Sequence, residues 1–195
     1  MHPYATDSKE RESVLFYIAV LSIFSSWILH NLLNIAPLAI PWWIDAPSVT
    51  GFYGLFYAIF YKYTWKWLML RKFGIVKVPN LNGTWKGYVV SSFDEPSKKY
   101  EATLVILQNW TQISIILKTH DSKSTSLIAG ILIDNPEGTV LTYEYLNEPL
   151  PLTNEGMHIH KGTATLTLND GKVLEGEYYT GRDRKHFGYL RFESE

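Results

Sequence analysis

The chain has no cysteine, which removes disulfide staples, thiolate metal sites and cysteine nucleophiles together. It also lacks a surplus of either charge. Lys and Arg number 18 against 19 Asp and Glu, so no global field draws the chain to a nucleic-acid polymer or an anionic surface. Between Ser13 and Ile44 charge is missing altogether, a run of 32 residues where a membrane-spanning helix needs roughly 20. After Gly83 it is helical periodicity that is missing, and no helical crossover is evident as far as the C-terminus.

Pro37 and Pro41 interrupt the uncharged run, which predicts a first helix over about Val14–Ala36. A second apolar run, APSVTGFYGLFYAIFY, comes after Asp45 and predicts another helix from about Ser48 to Leu70, with Lys62 snorkelling near its end. Trp42, Trp43, Trp65 and Trp67 fall where interfacial aromatic belts are expected. Ala19, Ser22 and Ser26 put small residues on one side of the first helix, which permits close helix approach, including between protomers. A buried pair of core helices is the bland alternative. The uncharged run is too long for a secretory signal peptide, and the leader MHPYATDSKERES is acidic to neutral.

The loop between the two runs holds Asp45 and no cation. Lys62, Lys66, Arg71, Lys72 and Lys77 come in and after the end of the second run, and Lys9 and Arg11 precede the first. The positive-inside bias therefore places both termini in the cytoplasm. Residues 1–12 read as a cytoplasmic tail, 13–71 as a two-helix transmembrane hairpin, 72–81 as a linker and 82–195 as a cytosolic β-domain.

From Gly83 the pattern has period two. Eight strands are predicted, at about Gly83–Phe93, Lys99–Gln108, Thr111–Thr119, Ser122–Ile133, Gly138–Leu146, His158–Leu168, Val173–Thr180 and His186–Glu193. Turn chemistry such as DEPS, DNPEG, NDG and GRDRK separates them. The fold class is then two N-terminal transmembrane helices plus an all-β, eight-stranded antiparallel up-and-down barrel, lipocalin-like, closed so that no edge is exposed.

Charged positions assign the faces, because side chains alternate along a strand. Lys86 outward turns Trp85 and Val89 inward, and Lys123 outward turns Ser122, Ser124, Ser126, Ile128 and Gly130 inward unless a bulge intervenes. In HIHKGTATLTLNDGKVLEGEYYTGR the same bookkeeping turns His158, His160, Tyr178, Thr180 and Arg182 toward the interior. Most strands then have an apolar inward end and a polar or aromatic one, which describes a packed floor beneath a polar cup. The candidate ligand-binding set on the inward face is Trp85, Tyr100, Thr119, Ser122, Ser124, Tyr143, Tyr145, His158, His160, Tyr178, Thr180 and Arg182.

His158-x-His160 has a possible zinc spacing, but the nearby acids Glu175 and Glu177 point outward. There is no nucleophile elbow and no inward acid to orient a histidine, so neither a metal centre nor an enzyme is expected. Inward Ser and Tyr that only satisfy backbone groups at a barrel rim are a serious structural alternative. A binding cup is the functional one: an arginine fork for phosphate, tyrosine faces for stacking and hydroxyls for base or ribose edges. Together these suit a small anionic aromatic ligand such as a nucleotide. A membrane-anchored carrier or scaffold, binding lipid or a partner protein, is the rival reading.

The opening LNGTWKGYVV, the stretch ILQNWTQISIILKTHDSKS and the closing LEGEYYTGR, behind two membrane helices and a basic link, resemble the CD-NTase-associated protein 15 family. These are two-transmembrane β-barrel effectors of CBASS anti-phage systems. The resemblance implies a barrel that senses a cyclic dinucleotide made by a cognate CD-NTase. It also implies homo-oligomerisation on activation, disruption of the bacterial inner membrane and abortive infection. The cyclic dinucleotide is then the ligand, with no further cofactor and no DNA or RNA polymer as partner, and Arg182 is the first candidate for a phosphate.

Overall fold

The computed structural model describes residues 1–35, 42–93, 98–136, 138–150, 158–181 and 185–194. Two compact units emerge, one made of Met1–Ser8 with Val78–Glu195 and the other of Lys9–Lys77.

The second unit is helical. Helix α1 (Glu10–Ile35) is followed by α2 (Trp42–Lys62), a single 3-10 turn at Thr64–Lys66 and a short α3 (Leu68–Lys72). The predicted second helix ends eight residues early because Tyr63 leaves helical geometry, at φ −126° and ψ −58°. Among the described residues, one helix, Glu10–Leu33, is long and apolar enough to cross a membrane. At 24 residues and 1.5 Å per residue it spans about 36 Å, against a hydrocarbon core of about 30 Å. Phe16, Ile23, Phe24, Trp27 and Leu32 are exposed on it, as befits a helix solvated by lipid.

The serine stripe has a partner within the chain. Ser22 is buried and its hydroxyl donates to the Ile18 carbonyl at 2.6 Å, while the Ser26 hydroxyl meets that of Ser48 on α2. Small residues thus bring α1 and α2 of one chain together. Trp65, expected in an interfacial belt, is instead fully buried, whereas Trp67 is exposed.

The first unit is a closed barrel of nine strands, not eight. Eight of them form the expected meander: β2 (Gly83–Ser91), β3 (Tyr100–Gln108), β4 (Gln112–Lys118), β5 (Ser122–Leu132), β6 (Thr139–Pro149), β7 (His160–Asn169), β8 (Val173–Thr180) and β9 (Phe187–Ser194). Closure comes from an antiparallel β2–β9 ladder running from Trp85↔Ser194 to Ser91↔Gly188. The ninth strand, β1 (His2–Thr6), lies in the segment read from sequence as a tail.

The β4–β5 seam explains why β1 is needed. These strands pair only at Ile116↔Thr125, Leu117↔Ser124 and Lys118↔Lys123, and then part. At the fork the Ile115 amide donates to the Ser126 hydroxyl at 2.9 Å instead of to a backbone carbonyl. Strand β1 fills the gap, antiparallel to β4 at His2↔Ile113 and parallel to β5 from Tyr4↔Ala129 to Thr6↔Ile131. Side chains fasten it along its length. His2 Nε2 bonds Ser126 Oγ at 2.7 Å, Tyr4 Oη donates to the Trp110 carbonyl at 2.9 Å, and Asp7 accepts from the Ile133 and Asp134 amides.

A bulge in β5 between Ser126 and Ile128 accompanies the fork and corrects the predicted faces there. Ile128, expected inside, is 62% exposed, and Ile131, which pairs with the inward Leu141, is fully buried. One extra residue reverses every later side chain on the strand.

Leu104, Ile106, Ile113, Ile115, Leu141, Leu166, Leu174 and Phe192 form the floor, each at 1% exposure or less. Burial of each stabilises by about 1.5–3 kcal/mol relative to exposure. The buried Gln108 closes it: Oε1 accepts from the Leu81 amide at 2.7 Å and Nε2 donates to the Pro79 carbonyl at 3.1 Å.

On the outer face of β8, Glu175 accepts from Tyr189 Oη at 2.7 Å, Arg191 Nη1 at 2.8 Å and Asn169 Nδ2 at 2.7 Å. The Tyr189 bond leads, with Arg191 and Asn169 assisting, in holding this carboxyl below its ordinary 4.5, and desolvation together with Glu175 pushes Tyr189 up to about 12. A depressed carboxyl stabilises the fold above its ordinary value, and that stability is lost as pH falls through the lowered one. Glu175→Gln should therefore flatten the acid limb of the barrel's thermal midpoint below pH 4.5. An unchanged acid limb would exclude the cluster as its source.

Candidate functional site

The barrel encloses a cavity of about 900 Å³ at one end, in the upper part of the range for small-molecule sites. In an up-and-down barrel the late ends of even strands and the early ends of odd strands share one rim. The lining obeys that rule, from Val89 and Ser91 on β2 around to Leu190 on β9. Ten of the sequence-predicted residues meet here: Tyr100, Thr119, Ser122, Ser124, Tyr143, Tyr145, His158, His160, Tyr178 and Thr180.

One predicted residue is not brought to it. Trp85 is set apart at the floor, 3% exposed, with its indole Nε1 donating to the Leu81 carbonyl at 3.0 Å. It sits at the first inward position of β2, at the closed end, so inward parity alone could not tell floor from cup. Arg182 lies outside the described residues.

Two glycines make the cup's shape possible. A Cβ at Gly162 would collide with Tyr145 Oη, and one at Gly188 would stand 2.5 Å from the Tyr178 ring. Bare backbone at these cross-strand neighbours lets both rings lie against the wall. Tyr143 and Tyr145 pack with ring centroids 6.1 Å apart. Burial, followed by each one's tyrosine neighbour, pushes both phenols above their ordinary value, so both remain donors at neutral pH.

Several hydroxyls in the cup already serve the fold. Thr119 Oγ1 accepts from the Ser122 amide at 3.1 Å and bonds its hydroxyl at 3.1 Å, closing the β4–β5 turn. Thr180 Oγ1 accepts from the His186 amide at 2.8 Å and donates to the His186 carbonyl at 3.0 Å, closing the β8–β9 connection. For these the structural reading holds whether or not they also meet a ligand.

Sequence reasoning missed six lining residues of chemical weight, Lys98, Glu101, His120, Asp121, Asn147 and His186, and the two carboxylates among them correct the expectation of no acid at the cup. Asn147 is missed because the predicted strand stops at Leu146, one residue short, although Asn147 shares a face with Tyr143 and Tyr145. Its Nδ2 donates to Ser122 Oγ at 3.0 Å and to Ser124 Oγ at 2.8 Å. Lys98 stands 4.8 Å from the Tyr100 ring centre and brings a cation to the mouth. His186 joins His160 and His158 at the mouth, while the His120 ring stands in solvent at the rim with its Nδ1 2.7 Å from Asp121 Oδ1. Among the described residues no three His, Cys, Asp or Glu side chains are grouped to hold a metal.

A barrel with a tyrosine- and amide-lined cup, joined to an apolar helix, has matches among known families. Residues 76–194 match the family model described as Cap15, cyclic dinucleotide receptor domain, and residues 12–66 match that described as Cap15, TM helices. The chain belongs to the Cap15 family. A curated relative, CD-NTase-associated protein 15 of Yersinia aleksiciae, is 36% identical over 146 residues, covering 73% of this chain and 67% of that protein. Membrane attachment through the helical unit and a receptor domain of the cyclic-dinucleotide class therefore describe this Cap15 chain, a CBASS-associated protein.

Proposed function

We propose that this protein is a non-enzymatic anti-phage effector. Its cup binds a cyclic dinucleotide made by a cognate CD-NTase, the ligand drives homo-oligomerisation, and the helices then breach the inner membrane of the infected cell. The cavity carries this reading: a closed barrel of the receptor family encloses about 900 Å³ walled by tyrosines, histidines and an amide. Stacking faces and hydrogen-bonding groups around one space suit bases and ribose better than an acyl chain. Lys98 and Arg182 are the cations we assign to the phosphates. No catalytic step is needed, because the shift toward an assembled state is limited only by the ligand's differential affinity for it.

Strand β1 supports a two-pass topology. The helical unit, Lys9–Lys77, begins after a strand of the barrel and ends where the barrel resumes. A barrel folded on one side of a membrane forces the intervening chain to cross an even number of times. Flanking Lys and Arg put that side in the cytoplasm. A reporter fused after Glu195 should behave as cytoplasmic, and one inserted at Asp45 as periplasmic. Calorimetry of the detergent-solubilised chain should give saturable heats with at least one cyclic dinucleotide of a panel and none with fatty acids. Fatty-acid binding alone would favour the lipid-carrier reading, and a periplasmic C-terminus would overturn messenger sensing.

A further inference from the structure

Among the described residues of the barrel, two buried side-chain polar atoms lack a partner: Tyr143 Oη and Asn147 Oδ1. Both residues line the cup, at 3% and 9% exposure. Folded proteins leave few buried polar atoms unserved, and those they leave call for an explanation. Thr119, Ser122 and Thr180 face the same cavity and are tied into turns and hydroxyl pairs. Tyr143 and Asn147 keep hydrogen-bonding capacity that the fold does not use.

We propose that Tyr143 and Asn147 are the groups through which the cup discriminates among its ligands: the Asn147 amide oxygen accepts a nucleobase N–H, and the Tyr143 hydroxyl donates to an acceptor deeper in the cup. This rests on the cyclic-dinucleotide reading above and adds which atoms read the base. The two serine hydroxyls hold the Asn147 nitrogen at 3.0 and 2.8 Å, which fixes the amide and leaves its oxygen as the reading end. In a cyclic dinucleotide the N–H groups belong to the bases alone, since phosphates and ribose carry none. The Tyr143 phenol, kept protonated by burial, supplies the donor that the amide oxygen cannot. On β6 the two residues are four apart with Tyr145 between them, about 13 Å along the strand. They therefore serve different ends of the ligand, and a cyclic dinucleotide that satisfies only one should bind less tightly.

A buried hydroxyl or amide oxygen that the fold leaves unpartnered lends no stability and carries a desolvation cost, which separates this role from a structural one. The full-length protein in detergent is titrated with a panel of cyclic dinucleotides and with an analogue of the tightest in which every base N–H is replaced by N-methyl, the exocyclic amino groups as dimethylamino. The parent should lose about tenfold or more in affinity for the methylated ligand. Asn147→Ala should bind both forms equally and weakly, so that the double-mutant cycle closes on this pair. Tyr143→Phe should lose about tenfold in affinity while its thermal midpoint stays level with the parent or rises. A folded Asn147→Ala variant that still discriminates the methylated ligand as the parent does would overturn the assignment of the amide. A fall in the Tyr143→Phe midpoint would show a structural partner for the phenol and overturn its assignment. In either case the cyclic-dinucleotide reading stands; it fails, and this proposal with it, if the parent binds no member of the panel.

Discussion

Replacing Tyr4 by alanine should destabilise the barrel by about 3–5 kcal/mol, the usual range for truncating a buried aromatic, whereas Tyr4→Phe should cost only about 1 kcal/mol. The contrast comes from what Tyr4 does. Its ring is 2% exposed where β4 and β5 part, and its hydroxyl donates to the Trp110 carbonyl at 2.9 Å. Phenylalanine keeps the ring that fills the fork and loses one hydrogen bond. Alanine empties the fork and leaves β1 to be held by its ladder, His2 and Asp7. Urea denaturation of the purified protein measures both, with the barrel tryptophans as reporter. A Tyr4→Ala variant within about 1 kcal/mol of the parent would mean that β1 is an ornament on an already closed barrel.

This strand also shows where the sequence stops being informative. The eight meander strands are legible within about three residues at most ends, because each is long enough for period-two alternation to register and is bounded by turn chemistry. Strand β1 has five residues, HPYAT, with Pro3 among them and one large apolar side chain. Nothing local marks it as a strand. It is ordered by a gap that exists only once β5 has bulged and β4 has lost its partner, a property of the closed barrel rather than of the segment. The bulge is equally silent: SLIAGIL is apolar in either register, and the pairing with β6 decides which residues turn inward.

The cup is legible for a related reason. Inward polar side chains stand out against an apolar alternation, so ten of the twelve candidate residues do line one space. Parity says which face a residue occupies, but not how deep it lies nor whether its polar atoms are already taken. That is why parity puts Trp85 in the cup and leaves Thr180 free for a ligand. Asn147 falls outside the predicted strand only because β6 runs on through Glu148 to Pro149, a tail whose Asn and Pro are turn formers by composition.

Sensing and membrane damage should come apart by mutation, since the two units have different physics. Tyr178→Ala removes a ring that lies against Gly188 in the cup wall and belongs to the barrel unit alone. It should abolish the response to an induced cognate cyclase while the protein still fractionates with membranes. Ser26→Leu acts on the other unit. It forces a branched side chain into the contact with Ser48, and overpacking of this kind costs about 1–3 kcal/mol. Ligand affinity should be unchanged, and dye entry into cells should fall several-fold. Replacing residues 9–77 by a flexible glycine–serine linker gives the largest effect. The replacement must spare residues 1–8, because β1 belongs to the barrel. The resulting protein should bind its ligand as the parent does and cause no dye entry at all. Dye entry from this helix-free barrel would remove the membrane pair from the mechanism. Loss of ligand binding would instead mean that the cup depends on the helices for its shape, a coupling for which β1, paired with the barrel and followed within four residues by α1, would be the first place to look.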